Sequence, residues 1–177
     1  MSSRADGTGD ELPPDEAEAR GLALLEQTGA AIVAGVAREG PGWAVANVER
    51  LLDAWGAAAP GARARALEAA PAAGRTATER VVESLKVLLQ LDPGEQRSTP
   101  LEVVRTLYRE PTAVLADAGV PDVVRDPFAE RSWPEDRYGL VPATLGDLGD
   151  PDLGPLHLAW GMAKAAVLRA RARRASS

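Results

Sequence analysis

Apolar residues recur every three or four positions along most of this chain, which is the spacing of one face of an α-helix. The first stripe predicts a helix from about Asp15 to Arg38. The breaker Gly40-Pro41-Gly42 should end that helix, and apolar positions from Trp43 to Trp55 predict a second one. Because the breaker is short, we expect the two helices to pair as an antiparallel hairpin.

The middle of the chain predicts two further helices with a boundary between them. An alanine-rich segment opened by Pro60 predicts a weak helix to about Ala70. A stronger stripe follows Thr76-Ala77-Thr78-Glu79, where a threonine hydroxyl and the glutamate can satisfy free N–H groups of the first turn. Asp92-Pro93-Gly94 should end this helix, and Thr99-Pro100-Leu101-Glu102 repeats the capping pattern with proline at the first helical position.

Prolines are dense in the second half, where eight lie from Pro100 to Pro155. This density is unfavourable for long helices and interior strands and predicts short helical turns, such as one at Thr144-Leu145-Gly146-Asp147. A last helix should begin near Leu153 or Pro155. Its predicted apolar inner face comprises Leu156, Leu158, Trp160, Ala163, Val167 and Leu168.

The fold class predicted from these patterns is all-α. We expect a compact single-domain bundle of about five longer helices, plus short helical turns in the proline-rich second half, because 177 residues suffice for one core. The helical domain is expected over 15–174, and any sub-boundary would fall near 92–99. An acidic tail over 1–14 and the end at 175–177 are expected to be disordered.

Composition excludes several kinds of site. The chain has no cysteine and one histidine, His157, so thiolate nucleophiles and clustered Cys/His zinc sites are excluded. We expect no cofactor and no metal. The formal net charge of −6 argues against broad binding to nucleic acid or an anionic membrane. The N-terminus does not resemble an export signal, so a cytoplasmic location is expected, and the excess of arginine over lysine is typical of a high-GC bacterial genome.

The strongest candidate binding site is the proline-bent segment from Arg131 to Tyr138. Tryptophan, tyrosine and arginine are the residue types enriched at binding hot spots, because they bury large areas with fixed geometry. The alternative is that these rings only pack onto a core that is poor in large side chains. The candidate partner-binding residues are Arg131, Trp133, Asp136, Arg137, Tyr138 and His157.

His157 is expected near the start of the last helix, on the same side as Trp160. A lone histidine in an apolar stripe is typical of a packed residue, and no nucleophile or phosphate-binding motif accompanies it. The acidic stretch 122–152, which includes Asp150-Pro151-Asp152, has enough oxygen ligands to hold a hard cation. The run lacks the third early ligand and the late bidentate glutamate of a calcium loop. Helix capping and turn formation explain most of these aspartates.

Two further sequence features could indicate binding to nucleic acid. Residues 115–124 resemble a helix-turn-helix, but the second helix would meet Pro127 within two turns and would present Asp122 to phosphates. The arginines of 169–174 spread around a helix rather than forming one stripe. We expect them either to be solvated or to face an acidic protein patch, this chain's own acidic surface included.

By elimination, the sequence predicts a helical protein–protein interaction or regulatory module without catalytic activity. One alternative is a small-ligand binder or enzyme that uses carboxylates and arginines of the 122–152 loop. Another is a nucleic-acid binder that uses the arginine-rich C-terminal helix. The expected partner is another protein, and a homo-oligomer is left open. Nucleic acid is disfavoured, and a membrane is not expected.

Overall fold

The computed structural model describes residues 12–55, 60–120 and 140–177. In these ranges the chain is helical and has no β-strand, so the all-α prediction is confirmed there. Three long helices dominate the described part, rather than about five. The α-helices are α1 (Pro14–Trp55), α2 (Ala62–Gln90), α3 (Pro100–Arg105), α4 (Arg109–Asp117) and α5 (Leu153–Ala175), and 3-10 turns span Thr106–Tyr108 and Leu145–Leu148.

Helix α1 runs for 42 residues through the predicted breaker. The expected hairpin with a turn at Gly40-Pro41-Gly42 is therefore wrong. A proline inside a helix costs about 3 kcal/mol, because it lacks an N–H and crowds the preceding turn. Close packing of α2 offsets this cost. A Cβ on Gly40 would lie 2.6 Å from Thr78 Oγ1, and one on Gly74 would lie 3.1 Å from the Pro41 carbonyl oxygen.

Helix α2 likewise continues through Pro71 and through the predicted start at Thr76. The boundary predicted after Ala70 is therefore wrong. Thr78 does not cap a helix, because its hydroxyl donates to the Gly74 carbonyl oxygen at 2.7 Å, one turn earlier in the same helix. Small buried residues in this half of α2 allow close helix contacts. Tertiary packing thus sustains a helix that local propensity leaves weak.

Three helix ends lie where the sequence predicts them. α2 ends just before Asp92-Pro93-Gly94. α3 begins at Pro100, where the Glu102 carboxylate accepts a hydrogen bond from Thr99 N–H at 3.2 Å. The last helix begins at Leu153, as predicted. These three predictions are confirmed.

Helix α1 is central and runs antiparallel to both α2 and α5. The contacts between α1 and α5 join Gly21 to Val167 and Gly35 to Leu153, so residue numbers rise in opposite directions along the two helices. The last turn of α2 packs on Gly29, whereas its first half packs farther along α1. Both α2 and α5 therefore follow α1 closely over several turns.

Two apolar clusters lie along α1. The larger one includes Ile32, Leu85 and Trp160, and it joins α1 to α2 and α5. The smaller one includes Leu51 and Leu115 and lies toward the C-terminal end of α1. Leu153 and Val167 of α5 lie in the larger cluster and contact α1, whereas Leu158 and Met162 are exposed, so one side of α5 packs on α1 and the opposite side faces outward.

The structure describes the last residues of the predicted N-terminal tail and all of the predicted C-terminal end. Residues 1–11 lie outside the described residues, and Pro14 is the first residue of α1. α5 includes Ala175, so it extends one residue into the end that was expected to be disordered. A single helical domain over 15–174 stays a prediction.

Candidate protein-binding surface

Five of the six candidate partner-binding residues lie outside the described residues. They belong to the segment 121–139, which also contains part of the 115–124 motif and much of the 122–152 loop. Their role as a contact surface stays a prediction. These residues are Arg131, Trp133, Asp136, Arg137 and Tyr138.

His157 is the candidate residue that the structure describes. It lies in the second turn of α5 and is half-buried, with its ring centroid 6.5 Å from that of Trp160 and the ring planes inclined by 23°. Burial lowers the pKa of His157 below its ordinary value of 6.5, because the charged form loses hydration. The imidazole is therefore mainly neutral at pH 7 and packs beside the tryptophan.

The side of α5 that faces away from α1 is apolar. Leu158 precedes the buried Val167 by nine residues, about two and a half helical turns, so the two side chains point in opposite directions. Leu158 is 67% exposed, and Met162, one turn later, is 64% exposed. Gly161 has open space where a Cβ would project. We call the surface formed by His157, Leu158, Gly161, Met162 and Ala165 the α5 outer face.

The inner face predicted for the last helix is only partly correct. Trp160 and Val167 are buried as expected. The assignment of Leu158 to that face is wrong, and Leu168 is 39% exposed. The angle between Leu158 and Val167 on a helix was available from the sequence and places the two side chains on opposite sides of α5. A helix that is apolar on two opposite sides usually packs on both.

The arginine-rich end of α5 is bound to the start of α1 and to the end of α2. Arg171 Nε donates to Glu18 Oε1 at 2.7 Å, and its Nη1 donates to Asp92 Oδ1 at 2.8 Å. Arg174 Nη1 donates to Asp15 Oδ1 at 2.9 Å, and its Nη2 lies 2.9 Å from Glu18 Oε2. The hydrogen bonds from Arg171 are the main cause of a lowered pKa of Asp92. These two arginines therefore face the chain's own acidic surface.

Carboxylates at the other end of α5 hold the preceding turn. Asp147 Oδ2 accepts a hydrogen bond from Thr144 N–H at 2.8 Å. Asp150 pairs with Arg38 of α1 and accepts a hydrogen bond from Asp152 N–H at 2.9 Å. The carboxylate of Asp152, the N-cap residue of α5, is exposed and forms no ion pair with a described residue. In the described ranges, no group of three or more histidine, aspartate or glutamate side chains is placed to hold a metal ion.

An open groove of about 420 Å³ lies between α1 and α2, beside Pro41 and Pro71. The other residues that line it include Val45 and the charged side chains of Glu49 and Arg75. Small-molecule sites usually enclose most of the ligand surface. This groove is open to solvent, so the α5 outer face is the stronger candidate for a functional surface.

Comparison with known proteins finds no matching family model, no similar curated protein and no similar solved structure. Among the helices of the described residues, none combines the length and apolar character needed to cross a membrane. The function is therefore inferred from the geometry of the surface.

Proposed function

We propose that this protein is a helical protein–protein interaction module and that the α5 outer face is its contact surface. The observation that carries this proposal is the pair Leu158 and Met162, two large apolar side chains about two-thirds exposed and one helical turn apart. Single exposed apolar residues are common on monomeric proteins. Leu158 and Met162 are adjacent, and the opposite side of their helix is also apolar. This arrangement is typical of a surface that a partner covers.

The surrounding structure supports this proposal because it holds the surface in place. Trp160 and Val167 anchor α5 from its inner side, and the ion pairs of Arg171 and Arg174 hold its last turns. A preformed helix face loses little conformational entropy when it binds. His157 lies at the edge of this face, so one residue that the sequence nominated for partner contact belongs to the proposed surface.

The test is capture of partner proteins from a native lysate by the tagged protein. The variant Leu158→Lys with Met162→Lys places two charges on the α5 outer face. Its matched control is Val87→Lys with Leu91→Lys on the end of α2, where two apolar side chains four residues apart are 60% and 45% exposed. We expect the α5 variant to lose captured proteins and the control to keep them.

Both variants should unfold within about 0.5 kcal/mol of the unmodified protein, because the substituted side chains are exposed. This stability measurement separates loss of binding from loss of fold. Equal capture by the unmodified protein and both variants would overturn the proposal.

A further inference from the structure

We propose that the partner of the α5 outer face is an acidic amphipathic helix, which packs apolar side chains on Leu158 and Met162 and places a carboxylate against Arg169. This inference rests on the proposed function of that face. It starts from the position of Arg169, which is exposed and lies seven residues, about two helical turns, after Met162. Arg169 therefore continues the same side of α5 beyond the apolar pair.

The outward side of α5 has the spacing that fits another helix. From Leu158 onward, its residues follow one another at alternating intervals of four and three, which is the pattern at which two packed helices interdigitate. An extended peptide has no matching repeat, because its side chains alternate every two residues. Gly161 lies beside this row and has open space at its Cβ position, so a large side chain of the partner fits there. The row comprises Leu158, Met162, Ala165, Arg169 and Ala172.

The charge of this row favours an acidic partner. Arg169 forms no ion pair with a described residue, and the sequence of α5 from Leu153 to Ala175 contains no aspartate or glutamate. Arg171, in contrast, is already paired with carboxylates of α1 and of the turn after α2. When a partner covers the row, Arg169 loses part of its hydration, and a carboxylate on the partner compensates for this loss.

The same charges disfavour two other occupants. A second copy that packs through its own α5 offers Arg169 no acid along the facing helix, because α5 is basic throughout. An anionic membrane surface would attract Arg169 but would repel the chain as a whole, whose formal net charge is −6. An acidic helix from a different protein satisfies both the apolar and the charged part of the row.

The test is binding of two synthetic helical peptides of opposite charge to the purified 177-residue chain. One peptide carries leucine at heptad positions a and d and glutamate at e and g, and the other carries lysine in place of every glutamate. Fluorescence anisotropy measures both dissociation constants. We expect the glutamate peptide to bind about tenfold more tightly, because each exposed ion pair contributes modestly and lysine replaces that attraction by repulsion. The net charge of −6 favours the lysine peptide, so it cannot cause this preference.

Substitutions then locate the binding on the α5 outer face. Arg169→Glu should reverse the preference in favour of the lysine peptide. Leu158→Gln with Met162→Gln removes the apolar pair without changing the charge, and it should weaken binding of both peptides by about tenfold or more. The matched control, Val87→Gln with Leu91→Gln on the end of α2, should bind both peptides like the unmodified chain.

Gly161→Leu tests the shape of the surface separately from its charge. A Cβ at this position meets no other atom within 4 Å, so the fold accepts a larger side chain. Leucine also favours a helix more than glycine does, so Tm should not fall. The new side chain occupies the space proposed for the partner, and binding of the glutamate peptide should therefore weaken.

Three results would overturn the inference: equal affinity for the two peptides, no binding of either peptide, or a preference that Arg169→Glu leaves unchanged. A dimer in sedimentation velocity that Leu158→Gln with Met162→Gln abolishes would assign the face to a second copy and would also overturn it. The lysate capture described above judges the proposed function separately. If Leu158→Lys with Met162→Lys loses captured proteins while the peptides show no charge preference, the proposed function stands and this inference fails. If that variant captures the same proteins as the unmodified chain, both fail.

Discussion

Replacing Gly40 with alanine should destabilise this protein, whereas replacing Gly42 with alanine should stabilise it. Both glycines lie inside α1, on either side of Pro41. Alanine is more favourable than glycine in a helix interior by about 1 kcal/mol, and this gain applies at both positions. The positions differ in their surroundings, because nothing lies within 4 Å of a Cβ added at Gly42, whereas one added at Gly40 would contact Thr78.

The magnitude at Gly40 follows from this contact. The new methyl group would lie 2.6 Å from Thr78 Oγ1 and 2.7 Å from Thr78 Cγ2. Rotation of Thr78 does not relieve both contacts, because this side chain is 3% exposed and its hydroxyl is bonded to the Gly74 carbonyl oxygen. Such overpacking costs about 1–3 kcal/mol, and a Cβ on the residue before a proline adds strain in a helix. We expect a net loss of about 1–2 kcal/mol for Gly40→Ala and a gain of about 0.5–1 kcal/mol for Gly42→Ala.

Thermal unfolding followed by far-ultraviolet circular dichroism measures both changes. In a chain of this size, 1 kcal/mol shifts Tm by about 2–4 °C, so the two variants, which differ by about 1.5–3 kcal/mol, should differ in Tm by about 3–12 °C. Thr78→Ala removes both clashing atoms. The double variant Gly40→Ala with Thr78→Ala should regain the stability that the contact between the new methyl group and Thr78 costs. A double-mutant cycle measures this coupling free energy. Equal shifts of the same sign at Gly40 and Gly42 would refute the close contact between α1 and α2 here.

Four other substitutions test α5 by the same unfolding measurement. Trp160→Ala removes a side chain that is 2% exposed and should cost about 3–5 kcal/mol; a loss below about 1 kcal/mol would mean that this ring is not core. Arg171→Ala breaks two ion pairs and should lower Tm, by less at high salt, whereas the exposed Arg169→Ala should leave Tm nearly unchanged. The pKa of His157 is lower in the folded chain than in the unfolded chain, so the unfolded chain binds more protons as the pH falls. The free energy of unfolding should therefore decrease as the pH drops below about 6.5 and through the folded pKa. His157→Gln should remove this part of the pH dependence, and an unchanged profile would contradict the pKa shift.

Local chemistry explains which helix ends were predictable. The start at Thr99-Pro100 and the stop before Asp92-Pro93-Gly94 depend on hydrogen bonds and backbone constraints between residues adjacent in sequence. The breaks predicted at Gly40-Pro41-Gly42 and at Thr76 rest on the same local preferences, yet both helices continue. There, contacts between α1 and α2 outweigh the local penalty, and such contacts join residues far apart in the chain.

The candidate surface was predictable only in part. The sequence placed His157 on the last helix beside Trp160, and helical angles place Leu158 opposite Val167. The sequence did not show which of the two apolar sides of α5 meets α1. Gly21 and Gly35 of α1 accept the buried side, and their partners could be identified only from the packed structure.

The sequence by itself determined the helical class, because an apolar period near 3.6 residues allows little else. It also determined the net negative charge and the absence of cysteine chemistry. Only the tertiary structure decided that α1 and α2 are continuous, that Leu158 faces outward, and that Arg171 pairs with Glu18, which lies 153 residues earlier. The physical reason is that periodicity and capping act over a few residues, whereas burial and ion pairing depend on which distant segment lies opposite.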